Sequence, residues 1–523
     1  MTVLDGFWLP TALRDAVLVD AQWEVAWLAG GAQVPEGTPD ALRVRWPVLS
    51  PAGWRSLFAG LQRGRSLRCE DAVPRWDAAL ERLGPGLLGG PGALSMLSRA
   101  TGYSEPMLTV GLGSRTHFAA GSLVAALEAR PGWQAARRWV PIGPVPGKVR
   151  FYPSRVHHRL RARVAPGSRL WSDAPATDVV LGFAAGNVPG TALLIALLGA
   201  LANHGCGADT PALLIRNSRQ EPLFGPWVLS AVEAVDPQLV AQLALLVWDY
   251  TDAGVRDTVM SRAQLLIAAA GDDAIGAIDA ARRAMPAPPR FHRHGHKVSF
   301  AAIDPDRAPI RDVEALARLG ALDSSLWDQN GCLSARVQFV AGHADAYADA
   351  LATAMRSLAA AVPRGSTPRR FTHRAFDTYA SLVRQGGVRL CSAYDDDFVV
   401  AVDRRPWDAG AMQRAVNLCV GRVVVVRPVR TVLEIPAALG DIPAANVQSL
   451  SVAVAAESLP ALAEAAGARG VTAVRSLGRA AFPGLAYFWD GLLPADCAWL
   501  RPPGHFTTID FDDPAEDLRA ATR

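Results

Sequence analysis

The feature that most constrains this chain is a series of short apolar runs that alternates, from residue 178 onward, with segments of helical period. Strands are predicted over 178–185, 211–216, 245–248 and 263–268. Helices are predicted over 191–202, 222–235, 237–244, 256–262 and 272–285. Continuous apolar strands separated by crossover helices are the pattern of a parallel sheet covered on both faces. Ligands of such sheets sit beyond the carboxyl ends of the strands. Prolines within 286–289 interrupt the alternation, and it then resumes. Strands are expected at 295–303, 390–402, 422–427, 447–454 and 471–474, with helices at 313–319, 344–361 and 459–468. The fold class predicted is α/β, with a Rossmann-type unit followed by a second α/β unit. Segment boundaries are placed near residues 90, 294 and 440. The first 90 residues carry several Trp among Pro and Gly breaks and show no clear organisation. Helices are expected within 94–130, with Tyr103 and Phe118 in the core.

A chain of 523 residues that is half apolar can bury a large core in two or three domains. A net charge of only +4 gives no electrostatic footprint for nucleic acid. The one basic cluster, 137–163, reads as a solvated face, with an anionic ligand as the alternative. Six cysteines lie far apart without a Cys-x-x-Cys pair, so neither a zinc ribbon nor a secreted disulfide framework is indicated. Residues 1–5 include an acid and no basic stretch, unlike a signal peptide. The most apolar window, 179–202, is broken at 186–190, and only about a dozen apolar residues follow. A membrane span needs about 20. These features predict a cytoplasmic protein without a membrane span.

Four stretches carry candidate chemistry. Cys332 follows the polar turn Asp328-Gln329-Asn330-Gly331 and precedes a β-patterned run, a place where a thiolate can stand bare on a loop. The alternative is a small buried cysteine at a strand start. Gly186-Asn187-Val188-Pro189-Gly190 links a buried strand to a helix, so the Asn187 amide can donate to a developing oxyanion or simply cap the turn. Arg216 and Ser218 stand at the end of the next strand, where a ribose and a 2′-phosphate would lie, although a surface Arg is as ordinary there. Gly271 and Asp272 open a helix, suiting close approach of a phosphate or a plain N-cap. The alternating His292, His294 and His296 do not make a metal set. His296, beside Lys297, is a candidate proton donor or cofactor contact.

Together, "GNVPG" at 186–190, "GHKVS" at 295–299 and "DQNGCLS" at 328–334 resemble, in order and rough spacing, motifs of the aldehyde dehydrogenase superfamily. The chain is most similar to the acyl-CoA reductase family typified by the fatty-acid reductase of bacterial bioluminescence. The further likeness lies in "TGYSEPML" at 101–108, "GDDAI" at 271–275, "NVQSLSVAVA" at 446–455 and "GVTAVRSLGRA" at 470–480. The resemblance implies a nucleotide-binding domain over 91–294 and a catalytic domain with nucleophilic Cys332 over 295–440. It also implies that 441–523 returns to the nucleotide-binding domain or serves oligomerisation. The activity implied is NAD(P)H-dependent reduction of an acyl thioester, on CoA or a carrier protein, to an aldehyde in a homo-oligomer. Asn187 and the Cys332 amide would form the oxyanion site, and NADPH is the expected cofactor, with NADH possible. Hydrolytic members carry a Glu four residues before the Lys; here Arg293 holds that place. An oxidative, CoA-acylating aldehyde dehydrogenase and a catalytically silent carrier-binding homologue are the alternatives.

Overall fold

The computed structural model describes residues 3–84, 92–113, 123, 140–141, 148–153, 176–204, 207–365, 367–483, 490 and 506–509. Three sheets organise them. A five-stranded, all-parallel sheet runs Arg290–His294, Leu265–Ala269, Val179–Phe183, Ala212–Arg216, Leu243–Leu246 across its width. Chain order reverses between Val179–Phe183 and Leu265–Ala269, so the crevice at their carboxyl ends is the switch point where α/β sheets bind ligands. Strands Val179–Phe183 and Leu243–Leu246 are buried throughout, and Ala212–Arg216 is buried up to Arg216, as their apolar runs require. Helix Thr191–Ala200 is apolar all round and almost wholly buried.

A ten-stranded sheet, parallel except at its edges, holds Val298–Ile303 beside Ala335–Ala341 on one side and Val447–Ala453 on the other. Residues after 440 give strands Val447–Ala453 and Ala473–Ser476 to this second sheet. The register slips between Ser299 and Phe300 against Ala335–Ala341 and between Val298 and Phe300 against Val447–Ala453, close to the turn before Ala335.

The N-terminal region is a mixed four-stranded sheet with helix Ala93–Thr101 against it; helix Pro51–Gly64 packs on strand Ala212–Arg216, helix Cys69–Leu83 on helices Thr191–Ala200 and Phe224–Val235, and helix Glu105–Leu112 on the turn Leu326–Gln329. Trp8, Trp46, Trp54 and Trp76 are buried there. It docks on the edge of the five-stranded sheet: Trp8 and Leu245 exchange backbone hydrogen bonds of 2.7 and 2.9 Å, and Asn217 Nδ2 donates to Gly6 O. One apolar core runs through both.

Several local predictions shift. The helix expected over 237–244 is a 3-10 turn at Pro237–Leu239 followed by strand Leu243–Leu246, because pairing with Ala212–Arg216 buries that apolar run. The strand expected at 295–303 begins at Val298, and a separate strand, Arg290–His294, precedes it. The single strand at 390–402 is two antiparallel strands, Val388–Leu390 and Val399–Asp403. Most of 113–139, including Phe118, and most of the basic run at 137–163 lie outside the described residues. No described helix is long and apolar enough to cross a membrane.

Candidate active site

The turn that carries Cys332 is built from residues with unusual backbone. Trp327, Asp328 and Gln329 have φ of 58°, 47° and 64°, the left-handed region that L side chains rarely adopt. Neighbouring groups fix them there. Asp328 Oδ1 accepts from Arg422 Nε at 3.0 Å, and its Oδ2 accepts from the Gly365 amide at 2.9 Å. Both members of the ion pair are sealed from solvent. The Gln329 amide bonds both ways with the Val423 backbone, at 2.7 and 3.0 Å. The Cys332 carbonyl accepts from Ser299 Oγ at 2.8 Å, and Ser449 Oγ lies 2.8 Å from Ser299 Oγ. The serines of "GHKVS" and of the 446–455 stretch therefore orient the Cys332 peptide.

Facing this turn is the 186–190 loop. Asn187 Nδ2 donates to Asn330 O at 2.8 Å, and Asn187 O accepts from Tyr103 Oη at 2.6 Å. Tyr103 packs edge-on against Trp327, with ring centroids 5.2 Å apart, and burial pushes its phenol up. The "TGYSEPML" stretch thus clamps the two loops together. Two glycines permit close approach here. A Cβ on Gly186 would lie 2.1 Å from Ser218 Oγ, and one on Gly295 2.5 Å from Asp272 Oδ1. Beneath the loop, buried Glu221 accepts from the Leu223 and Phe224 amides, and burial raises its carboxyl to about 7.

Between the sheets lies a cavity of about 490 Å³ lined by Gly186, Asn187, Gly271, His296 and Cys332. Five residues singled out from sequence are thus brought together. Leu112, Leu194, Leu198 and Trp327 give it an apolar part. Arg216, Ser218 and Asp272 do not line it. Arg216 donates Nε to Trp248 O at 2.9 Å and lies over the Tyr250 ring. Ser218 Oγ accepts from the Gln220 amide. Asp272 ties the sheets, accepting from the His296 amide at 2.7 Å and from Asn446 Nδ2 at 3.2 Å.

The ring nearest Cys332 belongs to His294, not His296. Its Nε2 lies 3.7 Å from Cys332 Sγ and its Nδ1 2.8 Å from Asp490 Oδ2. Lys297 Nζ stands 3.3 Å from Asp490 Oδ1. Burial opposes charge on His294, but the Asp490 carboxylate, with Cys332, outweighs it and raises the imidazole to about 10. Asp490 is held well below the usual carboxylate range: burial would raise it, and His294 and Lys297 prevail. His292, buried on the same strand, is pushed down to about 4 by burial. Sequence reasoning passed over His294, Asp490 and Tyr103. The period-two spacing of His292 and His294 marks one face of a strand and was the available signal. Of the other described cysteines, Cys391 is half-buried, as Cys332 is. Cys69 is buried, and burial raises Cys391 to about 11 and Cys419 to about 12.

A Rossmann-type sheet whose switch-point crevice opens onto a cysteine turn on a second sheet defines the aldehyde dehydrogenase fold. Solved structures agree. The chain is similar to lactaldehyde dehydrogenase from Escherichia coli, with 12% identity, a TM-score of 0.56 and 91% of each chain covered. It is similar to an oxidoreductase from Marinobacter aquaeolei, with 14% identity, a TM-score of 0.56, and 94% of this chain and 95% of that one covered. It also resembles an indole-3-acetaldehyde dehydrogenase solved with NAD+, at 14% identity and a TM-score of 0.54, covering 89% and 91%. No curated protein matches the chain by sequence. The family model "Acyl-CoA reductase (LuxC)" matches residues 167–496, more than half of the chain, and the protein belongs to that family. Family and fold together make it an aldehyde-related oxidoreductase.

Proposed function

We propose that the protein reduces an acyl thioester, of CoA or of a carrier protein, to an aldehyde through an acyl group carried on Cys332. The observation that carries this reading is the placement of Cys332 on a cavity with an apolar side that Asn187 also lines. Cys332 attacks the thioester carbonyl, and the Asn187 side chain and the Cys332 amide stabilise the oxyanion, a contribution worth about 100- to 1,000-fold in rate per donor. Arg293, exposed and cationic, stands where hydrolytic relatives carry a carboxylate, so it cannot serve as the base that activates water.

A nicotinamide cofactor fits the residues present. Gly271 offers open space, with no atom within 4 Å of a Cβ built there, at the start of helix Asp272–Arg283. Gly186, Gly271 and His296 would hold it, and Arg216 and Ser218 lie at the neighbouring strand end. When bound, a reduced nicotinamide supplies the hydride. The presence of NAD+ in one structural neighbour supports the cofactor class. The Arg216 cation favours NADPH. The residues then hold the Cys332-bound acyl group, exclude water from its apolar side and release aldehyde as the thiol reforms.

The test is intact mass spectrometry after incubation with acyl-CoAs of graded length, alongside Cys332→Ala, followed by NADPH or NADH. One acyl adduct, absent in the variant and discharged as aldehyde by one cofactor, is the expected result. If neither acyl-CoA nor acylated carrier protein labels Cys332, the reading fails.

A further inference from the structure

We propose that His294 is the proton carrier of the acylation step, oriented by Asp490: it holds, as imidazolium beside the Cys332 thiolate, the proton that it delivers to the sulfur of the departing thiol. The inference rests on the thioester reading above and adds a catalytic residue that neither the motifs nor the family match assigns.

Three elements that are remote in sequence meet at this ring. His294 ends the edge strand of the five-stranded sheet, Cys332 lies on the turn before the second sheet, and Asp490 comes from the C-terminal stretch. The order nucleophile, imidazole, carboxylate is that of an activated nucleophile whose base is held in one tautomer by a third group. Here Nδ1 donates to the Asp490 carboxylate and Nε2 faces Sγ. The 3.7 Å separation is long, as such contacts often are before substrate binds. The side chains of His294 and Asp490 are only 12% and 10% exposed, so water does not compete for these contacts. Among the described residues, the charged and titratable groups beside the ring include Cys332, Asp490, Lys297 and His292, and Arg336 of strand Ala335–Ala341, which also lines the cavity, stands near Cys332.

The proton balance follows. Before attack the proton given up by Cys332 lies on Nε2, so that a thiolate faces an imidazolium, and collapse of the reduced intermediate to aldehyde and thiolate restores this pair. The thiolate sulfur bonds to the thioester carbonyl carbon, and the carbon–sulfur bond to the departing thiol breaks. That bond's electron pair stays on the departing sulfur, which takes the proton from Nε2 and leaves as a neutral thiol. The ring then takes a fresh proton from solvent, favoured by the Asp490 carboxylate 2.8 Å from Nδ1. The acyl-enzyme therefore waits beside an acid. Water attacking the acyl carbon would have to lose a proton, and the ring has no vacancy for it. One arrangement thus assists thioester cleavage and protects the intermediate until hydride arrives.

The experiment compares rates of Cys332 acylation by two thioesters of the same acid, one of CoA and one of an acidic thiophenol. A thiophenolate leaves without needing a proton. His294→Asn should slow acylation by acyl-CoA about 100- to 10,000-fold and by the aryl thioester less, because that reaction loses the partner of the Cys332 thiolate but needs no proton on its leaving group. Asp490→Asn should move the alkaline limb of the acylation profile down from about 10 towards the ordinary histidine value of about 6.5. It should also raise hydrolysis of the acyl-enzyme in the absence of reductant. Equal losses with both thioesters, no loss with either, or an unmoved alkaline limb would overturn the proposal. If the unmodified protein accepts acyl from neither thioester, the proposed function falls and takes this inference with it. If it is acylated but the variants match it, the inference alone is removed.

Discussion

The two walls of the cleft are held by opposite means. The wall on the five-stranded sheet consists of strand-to-helix loops tied by separate side-chain hydrogen bonds: Asn187 with Asn330 and Tyr103, Ser218 with Gln220, Asp272 with His296 and Asn446. It also leaves room, since a Cβ on Gly271 would meet nothing within 4 Å. The wall carrying Cys332 is clamped. Three consecutive non-glycine residues sit in left-handed backbone, each at a cost of about 1–2 kcal/mol. They persist because a solvent-free ion pair and a doubly bonded glutamine over-determine them. A nucleophile gains from being held still, whereas a cofactor site must admit and release its occupant.

The contrast breaks first at Arg422. Arg422→Met would leave the Asp328 carboxylate buried and unpaired, and should destabilise the chain by about 3–5 kcal/mol. Denaturant unfolding followed by circular dichroism measures this. A loss below about 1 kcal/mol would mean that the ion pair does not hold the turn. On the opposite wall, Asn187→Ala should lower the rate of Cys332 acylation about 100- to 1,000-fold while Cys332 stays open to alkylation. A change of only a few-fold would reduce Asn187 to a tie between loops.

Smaller effects sharpen the comparison. His292 is buried and depressed to about 4, below the value of about 6.5 expected in the unfolded chain. Between these values the unfolded chain binds a proton that the folded chain refuses. Stability should therefore fall as pH falls through that window, with a slope approaching 1.4 kcal/mol per pH unit from this group. His292→Gln should flatten the slope, and an unaltered pH dependence of unfolding would exclude His292 as its source. Gly271→Ala should change stability by no more than about 0.5 kcal/mol, because φ at Gly271 is −65° and the space is open. It should nevertheless raise the KM for the reduced cofactor. An unchanged KM would place the cofactor's phosphates elsewhere.

The legible parts of the site were those written locally. A buried run followed by Gly-Asn-x-Pro-Gly, a polar turn before Cys332 and a Gly-Asp helix start each carry their meaning within a few residues. The structure sets Asn187, Gly271 and Cys332 around one cavity. His294 was hidden although its alternation with His292 was visible, because nothing nearby says that strand Arg290–His294 ends opposite a cysteine 38 residues later. Asp490 lies 196 residues from the ring it touches, and Tyr103 lies 84 residues from the loop it braces. The N-terminal region was opaque for a related reason. Its Trp-rich core forms against the edge of the five-stranded sheet, so its pattern is intelligible only with that partner in place.

By itself the sequence determined the parallel α/β class, the strands of the switch point and the turn that presents Cys332. Each depends on burial of contiguous side chains or on the backbone preferences of a short turn. The tertiary structure decided which titratable groups share the cleft, and so which histidine stands at the thiol and what charge it carries. Those properties depend on distances of a few ångströms in a medium largely closed to water, between residues that only the packing of two sheets brings together.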